Sequence, residues 1–89
     1  MSNLRGDKMN KVLIVFASVT TANKMKNDLE KKHSIKSVVM QTPGELGLKS
    51  CSYCLKINES DLYVAWNMIK DSNVYTKGVY REGDYSKIL

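Results

Sequence analysis

Cys51 and Cys54 stand three residues apart in LKSCSYCLKI, residues 48 to 57, and the chain has no other cysteine. A Cys-x-x-Cys pair can cycle between dithiol and disulfide, supply half of a zinc site, or hold a sulfur-family atom on one thiolate. Thioredoxin-type exchange places the first cysteine at a helix N-terminus and the second one turn later. Here the pair enters a predicted strand, where residues three apart fall on opposite faces, so a disulfide needs a turn or bulge at Ser52-Tyr53. A structural zinc site needs four ligands. The pair offers two, and His33, the single histidine, is expected at the far end of the first helix. No metal is therefore expected within one chain, and a four-cysteine site shared by two chains stays open.

The carrier chemistry asks only for one accessible thiolate near positive charge. Cys51 is the candidate. Cys54 is either an accessory, resolving thiol or a core-facing filler, since free cysteine is often buried. Both cysteines merely packing is the structural alternative. Nothing near the pair can act as a general base, so hydrolytic Cys-His chemistry has no support.

The elements that must position these thiols can be read from hydrophobic period. KVLIVFA, 11 to 17, is a continuous apolar run of the kind a central, doubly covered strand shows. A helix follows over about 20 to 32, with Ser18, Thr20 and Thr21 as cap candidates and Ala22, Met25 and Leu29 on one face. IKSVVMQ, 35 to 41, reads as a second strand stopped by Thr42-Pro43-Gly44. ELGLKS is a loop, and CSYCLKI, 51 to 57, a third strand with Tyr53, Leu55 and Ile57 on one face and Cys54 and Lys56 on the other. A second helix opens at Asn58 and Ser60 as caps and buries Leu62, Ala65, Trp66 and Ile69. VYTKGVYR, 74 to 81, is a fourth strand, broken at Gly78.

This order, β-α-β-β-α-β, predicts an α+β ferredoxin-like two-layer sandwich: an antiparallel sheet of order 4-1-3-2 with two helices on one face. The domain spans 11–82, between a mobile lead-in at 1–10 and a tail at 83–89. The end of the first strand then meets the start of the third. The first helix's free N–H groups and positive dipole end come to the same edge as Cys51. Ser18, Thr20 and Thr21 become anion donors there, with Lys49 as a nearby charge.

Eighty-nine residues allow one core and leave little room for an enclosed large-substrate pocket. A net charge of +5 raises nucleic-acid binding, but the lysines are scattered and no RNA-type aromatic run occurs, since the first and third strands offer only Phe16 and Tyr53. Two cysteines do not make a secreted disulfide scaffold, which points to a reducing cytoplasm. MNKVLIVFASVTTA, from Met9, also has the outline of a short signal peptide, but its removal would delete the best strand. No stretch is long and apolar enough to span a membrane.

FASVTTA at 16 to 22, MQTP at 40 to 43, SCSYCLKI at 50 to 57 and GVY at 78 to 80 together resemble the selenium/sulfur carrier-like family over about residues 10 to 82. The resemblance maps the family's motif cysteine onto Cys51 and its Thr-Pro turn onto Thr42 and Pro43. The residue after that cysteine, commonly glycine in the family, is Ser52 here, and Cys54 is no part of the pattern. The resemblance implies a carrier or thiol relay without cofactor, served by sulfur or selenium donor and acceptor proteins and not a stand-alone enzyme. A non-enzymatic ligand-binding, nucleic-acid-binding or regulatory module is the alternative. Tyr75, Tyr80 and Tyr85 further suggest a homodimer edge on the fourth strand.

Overall fold

The computed structural model describes residues 10–44, 52–83 and 85–89. The expected lead-in up to residue 9, the loop at 45–50 with Lys49, and Cys51 lie outside the described residues. The elements are β1 (Lys11–Phe16), α1 (Val19–His33), β2 (Val38–Gln41), β3 (Tyr53–Asn58), a 3-10 turn (Glu59–Asp61), α2 (Leu62–Asp71) and β4 (Gly78–Arg81). The class is α+β: two helices and one four-stranded sheet of order β2-β3-β1-β4, with every neighbouring pair antiparallel.

The alternation of each strand decides the two faces. Val12, Ile14 and Phe16 of β1 join Leu55 and Ile57 of β3 and Val79 of β4 under Ala22, Met25 and Leu29 of α1 and Ala65 and Ile69 of α2. Leu13 and Val15 point the other way, where Cys54 completes a smaller cluster covered by Met40, Tyr80 and Tyr85. Every residue from Val12 to Phe16 is fully buried, which is why β1 reads as an unbroken apolar run. At about 1.5–3 kcal/mol for each large side chain removed from water, this strand is the largest single contributor to the core.

Helix α1 starts at Ser18, whose extended backbone and side-chain oxygen cap the first turn. It ends at Ser34 in the left-handed region, with the Ser34 N–H donating to Glu30 O and the Ile35 N–H to Leu29 O. That closure delivers Ile35 into the core before any strand forms, so the second strand begins at Val38, later than expected. Residues 74–77 are likewise irregular, and β4 starts at Gly78, whose φ of 125° suits glycine alone. The cap expected at Asn58 is also absent, for a local reason. Its side-chain oxygen accepts from Lys11 Nζ at 2.6 Å, and a 3-10 turn leads into α2 instead.

The outer edge of β4 is occupied by the chain itself. Arg81 N–H donates to Ser86 O, Val79 N–H to Leu89 O, and Ile88 N–H to Val79 O. The expected pairing edge for a second copy is therefore filled by residues 86–89. Tyr80 and Tyr85 pack on the open face and Tyr75 is exposed.

Candidate functional site

Strands β1 and β2 end, and β3 begins, at one edge of the sheet: Phe16 and Gln41 both pair with Tyr53. The sequence immediately past these ends therefore converges. Ser18 and the first turn of α1 come from β1, Thr42-Pro43 from β2, and Ser52 precedes β3. Thr42 ties the last two together. Its N–H donates to Ser52 O at 3.1 Å, and the Ser52 hydroxyl donates to Thr42 Oγ1 at 2.9 Å. Ser52 is buried, so the residue following Cys51 is clamped through both backbone and side chain. Proline next to Thr42 fixes the turn that presents this clamp.

On the neighbouring element, the Thr21 N–H donates to Ser18 Oγ at 3.2 Å and the Ser18 hydroxyl donates to Thr21 Oγ1 at 3.0 Å. Ser18 thus serves the cap first, while Thr20 is exposed. The first turn of α1 holds no acidic residue, whereas its last turn holds Lys31, Lys32 and His33. The positive end of this helix dipole at the converging edge is uncompensated from within the helix.

Cys54 sits opposite Val15 and Met40 on the open face and is fully buried. Burial pushes its thiol up from 9.0 to about 11. The Glu82 charge acts the same way, opposed by a side-chain hydrogen bond with Thr42 and by the Lys56 charge. At neutral pH this is a protonated thiol out of contact with water, a poor nucleophile and a poor metal ligand. Cys51 and Lys49 lie outside the described residues.

His33 is exposed at the C-terminus of α1, the opposite end from the converging loops. Among the described residues no cluster of three or more His, Cys, Asp or Glu side chains is arranged to hold a metal. The aromatics considered for base stacking, Phe16 and Tyr53, belong to the helix-side core and not to the open face. Trp66 also packs against that core. Sequence reasoning missed the Thr42 to Ser52 clamp, although a threonine and a serine flanking one loop were its visible trace. No helix among the described residues is long and apolar enough to cross a membrane.

A family model described as "Putative Se/S carrier protein-like" matches residues 11–81. The match runs from the first residue of β1 to the last of β4. Neither the curated proteins nor the solved structures contain a match to this chain.

Proposed function

The chain belongs to the Se/S carrier-like family, and on that premise we propose that it is a small cytoplasmic sulfur or selenium carrier whose accepting group is the Cys51 thiolate. The match over residues 11–81 carries this reading. The clamp that Thr42 places on Ser52, the residue after the motif cysteine, supports it, as does the start of α1 at the same end of the sheet, whose positive dipole end favours an anion. The observed strand order, read from β4, runs 4-1-3-2, and on it we base a ferredoxin-like assignment of the fold.

In the transfer step the Cys51 thiolate attacks the outer sulfur of a donor persulfide. A new sulfur–sulfur bond forms on Cys51, the donor's sulfur–sulfur bond breaks, and the donor leaves as a thiolate. No electrons are gained or lost overall, so neither cofactor nor metal is required. Thr20, Thr21 and Lys49 stabilise the resulting anion, Ser18 acts through the cap that fixes the helix start, and Pro43 fixes the Thr42 turn. Delivery to an acceptor protein reverses the same step. Cys54 stays a thiol in its buried cluster and takes no sulfur.

The test is uptake of labelled sulfur from a cysteine desulfurase. Cys51→Ser abolishes uptake, while Cys54→Ser retains most of it. Equal loss in both variants would instead indicate a dithiol or metal site. Alkylation of Cys51 in the Cys54→Ser variant should show a thiol pKa well below the unperturbed value of about 8.5.

A further inference from the structure

The open face of the sheet carries a second site, at the end opposite the cysteine loop. Lys11 pairs with Asn58 and Lys56 with Val38 across the strands. With Lys36 and Ser37, just ahead of β2, and Met40, they line an open cavity of about 570 Å³. This size falls in the range of small-ligand sites. Three residues of β3, Tyr53 to Leu55, separate Ser52 from Lys56, so a ligand here is set back along the strand from Ser52.

The charge is one-sided. Three lysines line the cavity. Lys11 Nζ bonds a neutral amide oxygen, that of Asn58, and Lys56 pairs at 2.9 Å with Glu82. Among the described residues, one carboxylate therefore answers three ammonium groups. Ser37 provides an independent observation: its Oγ is shielded from water and has no hydrogen-bond partner. Folds rarely leave a buried hydroxyl unmet, and an ion held nearby is one of the ordinary reasons.

We propose that this cavity binds a small phosphate-type oxyanion. A tetrahedral oxyanion accepts hydrogen bonds from several directions, which suits separate lysine point charges drawn from two strands and a loop, joined by the Ser37 hydroxyl once its side chain turns about χ1 into the cavity. A planar carboxylate is better served by the arginine fork, and among the described residues no arginine lines the cavity. Val38, 58% exposed, and Met40 offer an apolar wall for whatever the phosphate is attached to.

The experiment is an NMR titration of the full chain with inorganic phosphate, with sodium chloride holding ionic strength constant. Saturable shifts are expected at the amides of Ser37, Val38, Lys56 and Asn58. Ser37→Ala should weaken binding by about tenfold, as the loss of one hydrogen bond to a charged group does. Lys36→Gln, on an exposed side chain, should weaken it several-fold with no risk to folding. The Ser37→Ala protein should keep or raise its melting temperature without phosphate, because no partner is lost. Glycerol 3-phosphate, bound at the same amides more tightly than free phosphate, would support the pocket and assign it an esterified ligand. Shifts that do not saturate, or affinities unchanged in both variants, overturn the proposal. So does a short single-stranded RNA that shifts the whole face and is indifferent to Ser37→Ala.

Discussion

Thr42 joins two environments of opposite character. Its backbone and hydroxyl hold Ser52 next to Cys51, and its side chain also bonds the Cys54 thiol. Ser52 is thus tethered where β3 begins, while Cys54 is kept protonated in a cluster. Burial makes the Cys54 consequence measurable. Its folded pKa of about 11 exceeds its ordinary 9.0, so above pH 9 the unfolded chain loses this proton before the folded one does. The unfolded state then binds fewer protons, and stability falls as pH rises from about 9 to 11, by up to about 2–3 kcal/mol. Urea unfolding of the wild type and of Cys54→Ala across pH 8 to 11 checks this. The variant should lose the alkaline decline attributable to Cys54, and subtraction removes the titration of tyrosines and lysines common to both. Parallel declines would mean that Cys54 is hydrated in the folded state.

At the scale of elements, what was legible in the sequence is what period alone determines. The run Val12 to Phe16 announced a doubly covered strand, and Ala22, Met25 and Leu29 announced the buried face of α1. Strand ends were less legible, because Ile35 and Val74 are apolar for reasons of core packing and not of sheet pairing. The lysine cavity was hidden for a different reason. Lys11, Lys36 and Lys56 look scattered along the chain and are brought together only by cross-strand register. The Ser18 cap, by contrast, was readable, and it separates folding from chemistry at the converging edge. Ser18→Ala removes the acceptor for the Thr21 N–H and should cost about 1 kcal/mol in denaturant unfolding. Ser18→Asp keeps an acceptor and adds a charge favourable to the helix, so its stability should match or exceed wild type. On the carrier reading the same negative charge opposes a thiolate on Cys51 and slows its alkylation at pH 7. Alkylation of Ser18→Asp at the wild-type rate would remove the helix start from the anion's support.

Across the whole molecule, the path of residues 86–89 decides which sheet edge is available. Residues 86–89 return along β4 through hydrogen bonds at Val79 and Arg81, while Tyr85 covers Leu13, Val15 and Cys54 and Ile88 packs against the helix-side core. Gly78 records how closely the tail lies: an added Cβ would come within 3.3 Å of Leu89 O, Lys87 Cε and Tyr80 Cε1. The tail therefore acts as a fifth pairing segment that closes one edge and shields the buried thiol, tasks that its short, polar-interrupted sequence does not advertise. A chain ended after Gly83 loses these hydrogen bonds and the Tyr85 and Ile88 packing, at least about 2 kcal/mol in all. In a domain of this size that lowers the melting temperature by on the order of 10 °C. It also leaves β4 with unpaired backbone groups, a template for pairing with another strand. Analytical ultracentrifugation of the shortened chain should then show concentration-dependent self-association beyond that of the full chain, and Cys54 should become open to alkylation. Unchanged melting and unchanged mass would show that the tail rests on the fold without stabilising it.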